Sequence, residues 1–280
     1  MSDFVNFARS HGIDIQDLYA SEKIIRCPTF EHPRSKNASY LFDGKGGWVI
    51  NWERSDETIF FGSNKEFTQE EKRKWAEKKR LFEAERQERA RKAILTAKET
   101  IERCKQSEHS YLKNKGLAGV LGLVDKDVLI VPMYSFDKKL TGMQSIYFDD
   151  EERSWKKKFL YGSVTQGSVF LIGSASAQIS VLCEGYATGI TIKKAIERIG
   201  INANVVVCFS SHNLVTVAKS MKNKAFVFAD NDKSGAGEAS AKSTGLKYCM
   251  SDEIGQDAND MFAKSGLTAV CRKIMGVMAR

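Results

Sequence analysis

Residues 179–185, ISVLCEG, and residues 225–239, AFVFADNDKSGAGEA, decide the fold. Each begins as a short apolar run and ends abruptly on acid. The first ends at Glu184, followed by Gly185. The second ends at Asp230, Asn231 and Asp232. A third apolar run, 205–209, lies between them. Stretches of helical spacing follow the three runs at 186–199, 213–221 and 238–244. Buried strands alternating with helices predict an α/β protein, with helices packed on a parallel sheet. Further strands are expected upstream at 128–133, 142–148 and 168–172.

Ligands of open parallel sheets gather at the carboxyl ends of the strands. Glu184, Asp230 and Asp232 stand there, and Asp257, Asn259 and Asp260 follow in QDANDMF (256–262). Carboxylates two residues apart on a turning backbone can hold a divalent ion, and hard oxygen ligands suit Mg²⁺. Several carboxylates at neighbouring strand ends repel one another unless a cation joins them. Asp-Asn-Asp before Ser-Gly is also ordinary turn chemistry. Its pairing with Glu-Gly at another strand end favours the metal reading. No competing site stands out. The chain has no G-x-x-x-x-G-K-[ST] phosphate loop. Its four histidines, His11, His32, His109 and His212, are too dispersed for a triad or a metal box.

Composition sets the wider frame. A chain of 280 residues suggests about two domains. With 42% hydrophobic and 28% charged residues it can bury a core. The net charge of +8 points to an anionic partner, nucleic acid first. That charge is uneven: −2 over 1–63, +5 over 64–105, +1 over 106–180 and +4 over 181–280. No apolar run approaches the ~18 residues of a membrane span. The start, MSDFVNFARSHGIDIQ, carries charges where a signal peptide is apolar. Six scattered cysteines without a C-x-x-C pair suggest reduced thiols in a cytoplasm.

The chain divides on composition into a small α+β module (1–63), a charged helical connector (64–105), two core segments (106–178 and 179–265) and a C-terminal helix (266–280). In the module, 4–19 has helical spacing. The aromatic runs 39–42 and 48–52 flank the Gly-rich 43–47, which predicts a hairpin. The connector opens on a capping pair, Thr68 and Glu71. Without Gly or Pro through residue 105, it would reach ~55 Å as a straight helix. Trp75, Phe82, Ile94 and Ile101 give it a sparse apolar stripe. In the last segment Leu267, Val270, Ile274, Val277 and Met278 have near-helical spacing and are expected to pack back on their own domain.

VLCEGYATGITIKKAI (181–196), FADNDKSGAGEASAKSTG (228–245) and QDANDMF resemble the three acidic segments of the Toprim domain, shared by topoisomerases and primases. Upstream, HSYLKNKGL (109–117), DVLIVPMYSFDKKLTGMQSI (127–146) and KKFLYGS (157–163) resemble the first half of a primase catalytic core of the phage and conjugative-plasmid type. CFSSHNLVTVAK (208–219) resembles the text between that subfamily's first two acidic motifs. The resemblance implies a Toprim-type parallel sheet with flanking helices inside a primase-like core. It implies Glu184 as general acid/base or metal-linked carboxylate, and Asp230 and Asp232 as holders of Mg²⁺ or Mn²⁺. Asp260, or Asp257, would serve a second ion. Lys158, beside Lys157, matches a basic position of the core. Lys113 and Lys115 are weaker candidates for contact with template or nucleotide.

The stretch 26–53, RCPTFEHPRSKNASYLFDGKGGWVINWE, resembles the zinc-binding module that precedes such cores but lacks its cysteine pairs. No zinc is expected, with Cys27 and His32 as remnants. Arg26, Arg34, Lys36, Trp48 and Trp52 remain candidates to hold template, because aromatics stack on unpaired bases and cations hold phosphates. The implied activity is primer synthesis from nucleoside triphosphates, with deoxynucleotides open, on single-stranded DNA. The implied enzyme is a cytoplasmic monomer served by a separate helicase or single-strand-binding protein. The alternatives are a metal-dependent Toprim nuclease and a non-catalytic single-strand-binding accessory protein.

Overall fold

The computed structural model describes residues 3–21, 23–34, 36–54, 58–62 and 69–279. The expected capping pair at Thr68 and Glu71 and the side chain of Trp75 lie outside this description. The protein is mixed α/β, with three sheets and eight helices among the described residues. It forms two compact units, Met1–Glu85 and Arg86–Arg280.

In the first unit, α1 (Asp3–Ser10) packs on an antiparallel sheet of β1 (Ile25–Cys27), β2 (Ala38–Phe42), β3 (Gly47–Asn51) and β4 (Ile59–Phe61). Phe4 is the hub, stacked on Phe42 at 4.6 Å and edge-on to Phe61 at 5.4 Å. The helix is shorter than the periodicity over 4–19 predicts. Gly12 takes φ +76, a left-handed turn that ends it, and Ile13 bridges to Thr29 instead. The expected hairpin is present, with β2 and β3 paired in register from Ala38↔Asn51 to Phe42↔Gly47.

The unit boundary falls inside one helix, α2 (Gln69–Arg103). No breaker interrupts it, so backbone continuity crosses a point where side-chain packing changes core. Phe82 meets Trp48 at 4.9 Å in the first unit. In the second, the fully buried Ala97 packs with Ile130 and Met143, and Ile101 joins them. Ala93 and Ala97, outside the expected stripe, are buried in this part of the helix beside half-buried Ile101.

That sheet is an antiparallel meander of β5 (Lys105–Glu108), β6 (Leu121–Asp125), β7 (Val128–Tyr134), β8 (Leu140–Asp149) and β9 (Ser154–Phe159), with α3 (Ser110–Asn114) after β5. The second sheet of this unit has the order β10 (Phe170–Ile172), β12 (Ala203–Val207), β11 (Ile179–Cys183), β13 (Lys224–Ala229), β14 (Lys247–Met250). β11 pairs in parallel with both β12 and β13, and β13 with β14, whereas β10 joins the β12 edge antiparallel.

Period-two burial organises this sheet. Val181, Cys183, Val205, Val207, Phe226 and Phe228 face one side, under α4 (Tyr186–Arg198) and α8 (Leu267–Ala279). Leu182, Val206, Val227 and Ala229 face the other, under α5 (Ser211–Ser220) and α6 (Ala236–Ser243). From β11 the chain crosses to β12 on one side and later returns to β13 on the other. This makes the carboxyl end of β11 a topological switch point. The C-terminal helix packs back on its own unit, burying Val270, Ile274 and Val277. No described helix is long and apolar enough to cross a membrane.

Candidate active site

Glu184 leaves β11 and Asp230 leaves the adjacent β13 at the switch point. The two carboxyls are largely withdrawn from water and close in charge. Burial, then the charges of Asp232 and Asp257, push Glu184 up to about 7; Lys157 and a Ser211 N–H oppose the rise. Burial, then Glu184 and Asp257, push Asp230 up to about 8, again against Lys157. Like charges in a desolvated place cannot all ionise cheaply, so the pair retains protons near neutrality. Asp230 Oδ1 is buried without a hydrogen-bond partner among the described residues.

Asp232 has the opposite environment. Its Oδ1 accepts from the N–H of Ser234 and Ala236 and from the Ser234 hydroxyl. Its Oδ2 accepts from the Gly237 N–H at 2.7 Å. Burial would raise this carboxyl, but those hydrogen bonds outweigh it and hold Asp232 below the usual range. Gly237 permits the arrangement. A Cβ there would meet the Asp230 carbonyl oxygen at 2.2 Å, so no larger residue lets α6 approach this turn.

Asp257 caps α7 (Ala258–Ser265). It accepts from the N–H of Asn259 and Asp260, and from the Thr188 hydroxyl at 2.8 Å. Asp260 closes the capping box and takes an ion pair from Lys115 at 3.1 Å. Both carboxylates are thus engaged in building the turn, while the charge of Asp257 still bears on Glu184 and Asp230. Asn259 is buried and donates to the Lys115 carbonyl and to Thr191, tying the third acidic segment to α3 and α4.

Strand alternation sorts the basic candidates. Lys157 lies opposite Ile146 on the inner face of β9, its ammonium 5.7 Å from the centre of the Tyr111 ring. Lys158 points to the other face, over Tyr147 at 5.6 Å. The resemblance put Lys158 foremost; the lysine whose charge reaches the acidic pair is Lys157. Lys113 pairs outward with Glu108 at 2.7 Å. Asn213, for which the sequence suggested no role, accepts from the Gly167 N–H and donates to the carbonyls of Ser168 and Cys208, fastening the end of β12.

In the first unit the template candidates separate as well. Trp48 is buried against Phe82, so its ring is core and offers no face to a base. Trp52 is 42% exposed, donates to Ser39 at 2.9 Å and lies under the Arg26 guanidinium. Arg34 and Lys36 are exposed. Cys27 is buried, which pushes its thiol up to about 11, and His32 pairs with Glu53 rather than with a cysteine. Glu53 also accepts from Thr29 and Asn37, so a carboxylate network joins this part of the module.

Among the described residues, no three His, Cys, Asp or Glu side chains already converge as ligands of one ion. The donor chemistry nevertheless suits a divalent cation. Glu184 and Asp230 supply hard oxygens, one of them buried and unpartnered, and ionised Asp232 lies beside them. Sequence reading missed Thr188, Ser211 and Tyr111. Each acts through a tertiary contact that carries no local signal. Compared with models of known protein families and with curated proteins, the chain matches none.

Proposed function

We propose that the protein is a DNA primase, which builds short primers from nucleoside triphosphates on single-stranded DNA by metal-dependent nucleotidyl transfer. One observation carries this reading. A proton-retaining Glu184–Asp230 pair with an unpartnered buried oxygen sits at the switch point of parallel strands, in a chain whose upstream text is similar to a primase core. The second sheet of Arg86–Arg280 is accordingly read as Toprim-type.

Glu184, Asp230 and Asp232 would hold Mg²⁺ or Mn²⁺, and Asp260 or Asp257 would border a second ion. When bound, such ions polarise the attacking hydroxyl and neutralise the phosphates of an in-line displacement. The chain's own groups do the rest. Glu184, held near neutrality, can accept a proton at its carboxylate and return it. Asp232 stays ionised because the Ser234 hydroxyl and backbone N–H groups fix it, so the site keeps a negative charge at this position. Lys157 and Lys158 present exposed cations on opposite faces of β9, suited to triphosphate and template. The partners in this reading are single-stranded DNA, NTPs or dNTPs, and a separate helicase or single-strand-binding protein. The enzyme acts as a monomer in a cytoplasm.

The test is incorporation of labelled nucleotide on a primer-free single strand with Mg²⁺ or Mn²⁺, in separate NTP and dNTP sets. Product is expected from the wild type and none from Asp230→Ala. Absence of wild-type product with either set overturns the reading. Degradation of labelled strand without synthesis would assign the site to a Toprim-family nuclease. Strand binding with neither activity would leave an accessory protein.

A further inference from the structure

β9 ends on Lys157, Lys158 and Phe159, all exposed, at the open edge of its sheet. Lys156 pairs with Glu152. Neither Lys157 nor Lys158 forms an ion pair among the described residues; each lies over a tyrosine ring instead. Phe159 is 40% exposed and meets Phe209 edge-on at 6.0 Å. Phe209 is a bulky residue in the left-handed region, at φ +70, a strained conformation that persists only where its surroundings fix it. Here they do. Its N–H donates to the Glu184 carbonyl at 2.9 Å, one step past Cys208 on Cys183 at 2.8 Å, and its ring packs on the cores of both sheets. Phe209 thus joins the backbone of Glu184 to the ring of Phe159, anchoring that ring without covering it. Two residues further on, Tyr161 is 75% exposed. Arg89 of α2 donates to its hydroxyl at 2.9 Å, with the guanidinium 5.8 Å from the ring centre.

We infer that this edge is a track for a single strand of DNA, in which one unpaired base stacks on Phe159 and another on Tyr161 while Lys157, Lys158 and Arg89 meet the phosphates. That the strand is a template leading to Glu184 rests on the function proposed above; the binding of a strand to this edge does not. Exposed aromatic rings by themselves need no explanation. Here they adjoin lysines that no carboxylate neutralises, a pattern that fits a polyanion with flat apolar faces. An acidic protein segment would answer the charges but brings no such faces. The mounting matters too. A ring already held by a locked neighbour loses little freedom when a base stacks on it, so more of the stacking energy appears as affinity. Phe209 touches no base in this account; it is a positioning residue for Phe159.

The test is fluorescence anisotropy of labelled oligothymidylate in EDTA, with the full chain and its Phe159→Leu, Phe159→Trp and Tyr161→Leu variants. Leucine keeps an apolar contact with Phe209 but offers no ring, whereas tryptophan offers a larger one. Phe159→Leu and Tyr161→Leu should each bind about ten-fold more weakly than wild type, and Phe159→Trp as tightly or more so. All three should melt within about 2 °C of wild type, because the altered side chains are exposed. On a strand of the same length built of abasic sites, wild type and Phe159→Leu should bind alike, since only phosphates remain to be held. Absence of wild-type binding, wild-type affinity in Phe159→Leu, or equal weakening by leucine and tryptophan overturns the track. A Phe159→Leu loss that persists on the abasic strand overturns the stacking. No metal or nucleoside triphosphate is present, so failure of primer synthesis would sink the primase reading and leave the track standing. Failure of the track would in turn leave that reading to the incorporation assay.

Discussion

Neutralising Asp230 should make the metal-free protein more stable, by an amount that grows as pH rises from about 4 to about 8. The Asp230 carboxyl is pushed up to about 8, by burial first and then by Glu184 and Asp257. A raised carboxyl pKa means that the folded chain keeps a proton the unfolded chain has released. The unfolded state then binds fewer protons, so stability is intact below about pH 4 and falls as pH rises to about 8. Acting alone, such a group would carry a folding penalty of about 5 kcal/mol at pH 8, at 1.36 kcal/mol per tenfold. Glu184 shares the burden, so Asp230→Asn should recover about 2–4 kcal/mol. For a unit of this size that is roughly 5–12 °C in Tm. Thermal and urea denaturation in EDTA at pH 4, 6, 8 and 9 would measure it. The gain should shrink toward zero at pH 4. A gain of the same size at pH 4 and pH 8, or no gain at pH 8, would refute the electrostatic reasoning. A destabilised functional site relieved by mutation at the expense of activity is the expected trade.

Other consequences follow from single contacts. Gly237→Ala should force α6 away from the Asp230–Asp232 turn, costing about 1–3 kcal/mol in urea denaturation and most of the nucleotide incorporation. Thr188→Val removes the hydroxyl donor to Asp257 and should weaken Mn²⁺ binding several-fold while changing the Tm little, a split that calorimetry and melting resolve together. Trp48→Ala should destabilise the first unit by about 3–5 kcal/mol, whereas Trp52→Ala should leave the melt near wild type and weaken single-strand binding in fluorescence anisotropy. Asn213→Ala should cost about 2–4 kcal/mol, because the Gly167 N–H and the carbonyls of Ser168 and Cys208 lose their partner.

What was legible in the sequence was whatever repeats locally. Val205 and Val207 alternate with Val206, and every expected strand from 128 onward is present within a few residues. The acids at 184, 230 and 232 announced themselves because a charge cannot continue a buried strand. The C-terminal helix followed from five apolar residues at near-helical spacing. Less legible were β5, β6, β9 and β14, whose polar or mixed residues satisfy no period strongly. The unit boundary was hidden too. A helix without a breaker looks continuous in sequence, and only packing shows that Phe82 and Ala97 belong to different cores.

The sequence by itself determined that strands would end on carboxylates and that the chain would be basic around them. Only the tertiary structure decided what each carboxylate is. Asp232 is ionised because the Ser234 hydroxyl and backbone N–H groups of its own turn reach it. Asp230 keeps its proton because it is buried and because Glu184 is carried to its side by a parallel strand 40 residues and more away in sequence. Lys157 and Lys158 are identical in composition and adjacent in the chain. The pleat of β9 sends one toward the acids and the other to the opposite face, and no local pattern distinguishes them. Charge type is written residue by residue, but its free energy depends on burial and neighbours, which exist only after folding.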